Sequence, residues 1–218
     1  CLPRGLSQQE VDSITEVVTR KRTLQRGEYI YREDDNFRGV LAIKSGSAKL
    51  VADDFHGNEH ILNILLPGEL LGFDGLSDNR HNCSAIALET LSFCELPADK
   101  MESLCQTVPG LMRELFRHTG EKIKDDRNQI VLNNRPAEER LASFLISLSD
   151  RLKKRGFSST EFTLSLTRQE IGNHLGLALE TVSRLLKQFQ NDGLITVKNK
   201  YVQIDDISGL KSLFTKAA

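Results

Sequence analysis

Four polar residues fall on one face of a predicted helix near the end of the 218-residue chain. They supply a carboxylate, a hydroxyl, a guanidinium and an ammonium group at helical spacing: Glu180, Ser183, Arg184 and Lys187. Arginine can donate two hydrogen bonds to a guanine, glutamate can accept one from a cytosine amine, and serine can do either. The face therefore suits base edges in the major groove of DNA. The competing interpretation is a solvated face on an ordinary helical pair.

The sequence around this face predicts two short helices joined by a sharp turn. Thr167 and Glu170 have the spacing of a capping box, which starts the first helix. Gly172 is small where a second helix must cross closely, and Gly176 suits a left-handed turn at the helix end. The second helix is predicted over residues 178–190, with one apolar stripe of four residues: Val182, Leu185, Leu186 and Phe189.

Two β-rich segments, 194–197 and 201–204, follow the helix pair, so a winged helix-turn-helix is predicted. This agreement over about forty residues favours DNA binding over a solvated face. The helix N-termini would point at the DNA backbone, which predicts three phosphate contacts: Thr167, Arg168 and Thr181. Lys198 and Lys200 in the wing are either further phosphate contacts or ordinary surface lysines.

Charge is distributed unevenly along the chain. The whole sequence has 29 Lys and Arg against 30 Asp and Glu, a net charge of −1 that by itself argues against nucleic acid. From residue 135 onward there are 13 basic and 9 acidic residues, net +4, against 16 and 21, net −5, before it. The basic part contains the predicted helix pair, so the regional charge supports DNA binding.

Residues 22–105 form short apolar runs separated by turn residues such as Ser45-Gly46 and Pro67-Gly68. No helical pattern lies between the runs, which predicts a small β-barrel or jelly roll. After Pro109-Gly110 the spacing changes to steps of four and three, the pattern of a seam on one long helix. The seam residues are Met112, Phe116, Thr119, Ile123, Asp126 and Ile130.

A second copy of the chain is the simplest partner for this seam, and two helix-turn-helix units would then need a near-palindromic DNA site. The alternative is that the seam packs only on its own β-domain. The presence of Asp126 in the seam supports the interpretation that dimerisation is regulated. In a two-fold dimer Asp126 would approach its own copy, and two like charges about 4 Å apart at an effective dielectric near 20 repel by roughly 4 kcal/mol. That repulsion would weaken a micromolar dimer roughly a thousandfold. We predict that Asp126 keeps the chain monomeric until a signal brings the helices together.

The composition, 39% hydrophobic and 27% charged residues, indicates a folded chain. No apolar run approaches the roughly 18 residues of a membrane helix and no leader is recognisable, so we expect a cytoplasmic protein without membrane contact. Four cysteines without a C-x-x-C pair argue against a disulfide scaffold or a zinc ribbon. Taken alone, each is expected to be a small buried apolar residue. The chain opens at Cys1 without an initiator methionine, so we expect an N-terminal segment to be missing.

The whole chain resembles the fumarate-and-nitrate-reduction regulators, the oxygen-sensing branch of the cyclic-AMP receptor protein superfamily. The resemblance rests on Leu66-Pro-Gly-Glu-Leu-Leu-Gly-Phe-Asp74, Leu88-Glu-Thr90 with Cys94-Glu-Leu-Pro97, Ala137-Glu-Glu-Arg-Leu-Ala142, Gly156-Phe157-Ser158 and Glu180-Thr-Val-Ser-Arg184. It implies an α+β chain with a β-roll (double-stranded β-helix or jelly-roll) sensor domain over residues 1–108. A long dimerisation helix over 109–134 and a winged helix-turn-helix DNA-binding domain over 135–218 would follow.

The resemblance also implies a cytoplasmic transcription activator of anaerobic metabolism that binds a [4Fe-4S] cluster in the absence of oxygen. Such a protein dimerises, binds double-stranded DNA and recruits RNA polymerase, and oxygen reverses these steps. The family's base-reading residues fall on Glu180, Ser183 and Arg184, and its seam aspartate falls on Asp126. The turn over residues 53–58 corresponds to a family surface that touches the polymerase.

In the same family, three N-terminal cysteines and one in the β-domain hold the cluster. The last N-terminal ligand falls on Cys1 and the β-domain ligand on Cys94, whereas Cys83 and Cys105 match no family ligand and are expected to be structural. A four-iron cluster ordinarily needs four thiolates. The remaining ligands are therefore expected upstream of this chain, and the intact cluster in the full-length protein.

Two other functions fit the sequence less well. Regulators of this fold that bind a cyclic nucleotide place Gly-Glu on the ribose and Arg-Ser on the phosphate. Here those positions are Gly72-Phe73-Asp74 and Cys83-Ser84, so the cation that would face the phosphate is absent. A metal-dependent jelly-roll enzyme needs histidines and carboxylates that converge, but the five histidines show little clustering. The chain is therefore not expected to be an enzyme.

Overall fold

The computed structural model describes residues 8–20 and 23–215, and the chain divides into two compact units, Cys1–Asp126 and Arg127–Ala218. The elements before the long helix are α1 (Gln8–Val17), β1 (Thr19–Arg20), β2 (Tyr29–Tyr31), β3 (Gly39–Ser45), β4 (Ala48–Asp53), β5 (Glu59–Leu65), β6 (Leu70–Leu71), a 3-10 turn (Phe73–Leu76), β7 (Ser84–Ala87), β8 (Ser92–Pro97) and α2 (Ala98–Thr107). The long helix α3 (Pro109–Asn133) continues across the division between the units.

The strands of the first unit form two antiparallel sheets, with strand orders β1-β8-β3-β6 and β2-β7-β4-β5. Buried side chains from both sheets pack into one core, among them Ile43 and Phe93 from the first sheet and Ala48 and Ala85 from the second. Burial does not alternate strictly along the strands, because β3 and β7 each contain three consecutive buried residues. The predicted β-roll is confirmed.

Helices α1 and α2 were not predicted. The pattern of short apolar runs was extended to residue 105, but the chain is helical from Ala98. A second buried cluster explains the difference, because Ile14 of α1, Leu104 of α2 and Leu96 of β8 pack together there. These helices are only ten residues long, so their stability depends on this packing more than on a long apolar repeat.

The second unit consists of α4 (Ala137–Lys154), β9 (Glu161–Thr163), α5 (Arg168–Leu175), α6 (Leu179–Asn191), β10 (Ile195–Lys198), β11 (Tyr201–Ile204) and α7 (Ile207–Thr215). The strands form an antiparallel sheet of order β10-β11-β9. The predicted winged helix-turn-helix is therefore present, and it includes two elements that the sequence analysis missed, β9 and α7. Leu210 of α7 is fully buried, so this last helix belongs to the core of the unit.

Candidate nucleic-acid interface and sensor site

The turn between α5 and α6 is built as the sequence predicts. The Thr167 hydroxyl accepts a hydrogen bond from the Glu170 N–H at 3.2 Å, and a Glu170 carboxylate oxygen accepts one from the Thr167 N–H at 2.8 Å. Gly176 ends α5 with φ +62°, a conformation that favours glycine. A Cβ on Gly172 would lie 2.5 Å from the Leu177 carbonyl oxygen, so only glycine permits this close approach.

Helix α6 has a buried apolar stripe on one side and an exposed polar face on the other. Val182, Leu185, Leu186 and Phe189 are buried, as predicted. Glu180, Ser183, Arg184 and Lys187 are exposed together on the opposite side. The N-cap residue Ala178 makes no side-chain cap, so no side chain at that position competes for the first N–H groups of the helix.

Leu179 was missed by the sequence analysis. It is the first residue of α6, its side chain is 37% exposed, and it lies one turn before Ser183 on the polar face. Spacing alone does not single it out, because Leu179 lies three residues before Val182 and seven before Leu186, the spacing of the buried stripe. An exposed apolar side chain beside base-reading groups suits contact with a thymine methyl group.

The predicted phosphate contacts have different environments. The Thr167 hydroxyl also donates to Glu170 Oε2 at 2.9 Å, so both of its roles are already used by the cap. Arg168 and Thr181 are partly buried at the starts of α5 and α6. In the wing, Lys198 is exposed, and Lys200 Nζ lies 3.4 Å from the Ser165 carbonyl oxygen. Arg168, Thr181 and Lys198 therefore remain available for phosphate oxygens.

The apolar seam of α3 is exposed along its length. Met112 and Ile123 are nearly half exposed, and Phe116 and Ile130 are 71% and 65% exposed. Thr119 and Asp126 are exposed on the same helix. Large apolar side chains in a row on the surface of a single chain are typical of a protein–protein contact. The geometry is therefore compatible with the predicted dimer seam.

The cysteines differ in their surroundings. Cys94 on β8 is partly exposed, whereas Cys83 and Cys105 are buried. Desolvation by burial raises the pKa of the Cys83 thiol to about 12, with a further contribution from the Asp74 carboxylate, and burial also raises the pKa of Cys105. Burial therefore favours the neutral thiol over the thiolate at both positions. Cys1 lies outside the described residues.

Cys94 stands beside the strand that leads back to the N-terminal segment. Strand β1 pairs with β8 at the sheet edge, where Arg20 is opposite Cys94 and Thr19 is opposite Glu95. Within residues 8–20 and 23–215, no group of three or more His, Cys, Asp or Glu side chains could hold a metal ion. The described residues alone therefore form no metal site around Cys94.

Residues 72–74 and 83–84, the two segments compared above with a cyclic-nucleotide site, lie close together in the structure. Hydrogen bonds to the Asp74 carboxylate occupy the space between them. Asp74 Oδ2 lies 3.2 Å from His81 Nδ1 and accepts a hydrogen bond from the Asn82 N–H at 3.1 Å. The Cys83 thiol donates to the same oxygen at 3.6 Å, and the Tyr31 hydroxyl donates to Asp74 Oδ1 at 3.4 Å. The Tyr31 ring stacks on the buried His81 ring at 3.6 Å between centroids.

This network is unfavourable for an anionic ligand. A carboxylate and a neutral thiol stand where cyclic-nucleotide binders would need a cation, and a buried phosphate without a cation is costly. Burial, with Asp74 nearby, raises the pKa of Tyr31 well above its usual range, so the phenol stays neutral. The geometry therefore gives no support to cyclic-nucleotide binding.

Comparison with known proteins agrees with this architecture. A cyclic nucleotide-binding domain model matches residues 21–108, and a Crp-like helix-turn-helix domain model matches residues 139–213. The transcriptional activator protein anr of Pseudomonas aeruginosa is 42% identical over 94% of this chain and 85% of its own length. The fumarate and nitrate reduction regulatory protein of Escherichia coli is 39% identical over 98% of this chain and 86% of its own length.

Among solved structures, FixK2 from Bradyrhizobium japonicum matches with a TM-score of 0.82 at 26% identity, over 93% of this chain and 100% of that one. The fold and the exposed face of α6 thus define a transcription regulator with a sensory domain of the cyclic nucleotide-binding type and a DNA-binding helix-turn-helix. The chain belongs to the FNR-type members of the Crp superfamily, whose named relatives are transcription regulators rather than enzymes. Within the described ranges, no helix is long and apolar enough to cross a membrane.

Proposed function

We propose that this chain acts in an oxygen-responsive activator of anaerobic metabolism. In this proposal, a [4Fe-4S] cluster in the full-length protein promotes dimerisation and sequence-specific DNA binding, and oxygen reverses both. The domains would be the β-roll sensor over 1–108, the dimerisation helix over 109–134 and the DNA-binding domain over 135–218. The observation that carries the proposal is the exposed polar face of α6 above its buried stripe, in a chain of the FNR type.

The reading of DNA rests on three side chains of α6. Glu180, Ser183 and Arg184 are exposed on consecutive turns and can reach base edges when the helix lies in the major groove. Of the predicted phosphate contacts, Arg168 and Thr181 can hold phosphates and thereby fix the register of the helix, and Lys198 of the wing is a further candidate. Thr167 would contact a phosphate only by releasing its hydroxyl from the cap. A dimer formed along the α3 seam presents two such faces, so the expected target is double-stranded DNA with a near-palindromic sequence.

The sensor function rests on Cys94 and on the segment that precedes α1. Cys94 would be the β-domain ligand, and Cys1 with residues upstream of it would supply the other thiolates. When bound, the cluster would supply an iron–sulfur centre that oxygen converts or destroys. Strand β1, which follows α1 in the chain, pairs with β8 beside Cys94. Loss of N-terminal ligation would free that segment and let Asp126 oppose dimerisation.

The turn between β4 and β5 is a candidate contact for RNA polymerase. Phe55 at its tip is fully exposed, while Asp54 accepts hydrogen bonds from the N–H groups of His56 and Asn58. The hydrogen bond with His60, together with those from Asn58, holds the pKa of Asp54 well below its usual range. The turn is therefore held by its own carboxylate while its aromatic tip stays available. We place this contact, like the rest of the activity, in the cytoplasm.

A selection experiment tests the proposal. The full-length protein, prepared without oxygen, is incubated with a pool of random duplexes, and bound DNA is amplified and sequenced. The expected result is one enriched near-palindromic sequence with two half-sites about one helical turn apart. Enrichment of no sequence by iron-loaded protein would overturn the proposal.

A further inference from the structure

Arg140 links the first turn of α4 to the turn of the helix-turn-helix. Its Nη1 donates a hydrogen bond to the Leu175 carbonyl oxygen at 2.8 Å and a longer one to the Gly176 carbonyl oxygen at 3.4 Å. Leu175 is the last residue of α5, and Gly176 is its C-cap. The guanidinium therefore holds the point from which the chain turns into α6.

The chemistry of a helix end explains why an arginine is effective there. The last carbonyl groups of a helix have no partner within the helix and carry its partial negative charge, so a cation that donates to them is favourable. Hydrogen bonds from a charged donor are also stronger than neutral ones. The backbone of the turn has little room to shift, because Gly172 and Leu177 already approach each other as closely as a glycine permits.

The net contribution of Arg140 to stability is reduced by one orphaned group. Its Nε is buried and has no hydrogen-bond partner among the described residues. A buried donor without a partner destabilises the folded chain, which offsets part of what the bond to Leu175 supplies. The main consequence of the guanidinium is therefore on the geometry of the turn.

Further contacts connect the same part of α4 to the DNA-reading helices. Gln188 of α6 donates to Glu138 Oε1 at 3.1 Å, and the Phe144 ring meets the His174 ring of α5 edge-on at 5.7 Å between centroids. Arg140 lies between these two contacts along α4. It is the contact that reaches the turn itself, so it bears on the angle between α5 and α6.

We propose that Arg140 is a positioning residue for sequence reading by α6. It acts through the Leu175 and Gly176 carbonyl groups and keeps Glu180, Ser183 and Arg184 in register with base edges. Because hydrogen bonds to bases weaken steeply with displacement, while attraction to phosphates tolerates it, loss of the guanidinium reduces specific binding more than non-specific binding. The inference rests on the proposed reading of DNA by α6.

The test compares two duplexes and three variants in the full-length protein prepared without oxygen. Arg140→Met keeps the stem and removes the donors, Arg140→Lys restores a single cationic donor, and Arg155→Met is the matched control. Arg155 lies at the other end of α4 and donates to the Arg151 carbonyl oxygen one turn back. The duplexes are the sequence that the parent protein enriches from a random pool and a random sequence of equal length.

For Arg140→Met we expect affinity for the enriched duplex to fall roughly tenfold while affinity for the random duplex changes less than about twofold. Arg140→Lys should recover part of the loss, and Arg155→Met should leave both affinities unchanged. Equal losses on both duplexes with a lower melting temperature would show a merely structural role and overturn the inference. An unchanged ratio of the affinity for the enriched duplex to the affinity for the random duplex would overturn it as well. If Arg140→Met does not fold, Arg140→Gln, whose donor is two atoms shorter, is judged by the same ratio.

The two proposals fail differently. A parent protein that enriches no sequence overturns the proposed function and this inference with it. If the parent protein enriches a sequence, but Arg140→Met discriminates between the enriched and the random duplex as strongly as the parent does, only the role of Arg140 is overturned.

Discussion

Lys122 Nζ lies 2.5 Å from Asp126 Oδ1, one turn apart on the exposed side of α3. The carboxylate that would face its own copy in a dimer is thus already paired within its own chain. Both side chains are about half exposed, so solvent screens the pair and its contribution to stability is small. The pairing nevertheless reduces the repulsion that Asp126 alone would produce. The estimate of roughly 4 kcal/mol is therefore an upper limit.

Replacing Asp126 should favour the dimer. We expect Asp126→Ala to tighten association in air by roughly ten- to a hundredfold, because one pair of like charges is removed from the seam. Lys122→Met should have the opposite effect, since it leaves the carboxylate uncompensated. Sedimentation equilibrium of the parent and both variants measures the change. Asp125→Ala, an exposed neighbour outside the seam, is the control, and equal monomer fractions in parent and Asp126→Ala would contradict the role of Asp126.

The polar face of α6 should separate base reading from phosphate binding. Arg184→Ala is expected to cost about 1–3 kcal/mol on the enriched duplex and to relax the preference at one base position per half-site. Arg168→Met should instead weaken binding on all sequences and lower the salt dependence by about one counterion. Binding curves at several salt concentrations distinguish these effects. Lys153→Met, an exposed lysine of α4, is the control, and an unchanged sequence preference in Arg184→Ala would be evidence against base contact.

The cysteines should differ in reactivity in the metal-free, reduced protein. At pH 8 the Cys83 thiol, with a pKa raised to about 12, is almost entirely protonated, and burial shields both Cys83 and Cys105. We expect iodoacetamide to alkylate Cys94 well before either of them, as followed by peptide mass spectrometry. In denaturant all three should react alike. Alkylation of Cys83 as fast as Cys94 in the folded protein would contradict the packing around Asp74.

Cyclic nucleotides should not bind the β-roll. The Asp74 network supplies a carboxylate and a neutral thiol at the compared positions, so titration of cyclic AMP into the protein should release no heat in a calorimeter. The same titration into a cyclic-AMP-binding member of the superfamily is the positive control. Saturable binding with one site per chain would mean that the network opens and that the sensor takes a nucleotide.

Local signals in the sequence predict the helix-turn-helix well. The capping box of Thr167, the left-handed Gly176 and the stripe on α6 each depend on residues within a few positions of one another, so spacing alone reveals them. The β-roll follows in the same way from short apolar runs bounded by turns. Helices α1 and α2 were missed because they are short and are stabilised by packing on β8.

Contacts between distant residues could not be predicted. Arg140 meets Leu175 across 35 positions, and Tyr31 meets Asp74 across 43, because sheet register and helix packing bring them together. Leu179 is exposed although it is apolar, since only the orientation of α6 decides which side of it faces solvent. Spacing in the sequence also could not distinguish Cys94 from Cys83 and Cys105 as a candidate ligand. That distinction depends on the burial of Cys83 and Cys105, which only the structure shows.

The central claim is that oxygen controls dimerisation and DNA binding through a cluster held by Cys94 and N-terminal cysteines. The most direct measurement is on the iron-loaded full-length protein, with the visible spectrum, the mass in solution and the affinity for the enriched duplex recorded before and after admission of air. We predict a dimer that binds the duplex tightly before air and a monomer with weakened binding after the spectrum changes. Mass and affinity that stay unchanged while the spectrum changes would contradict this account.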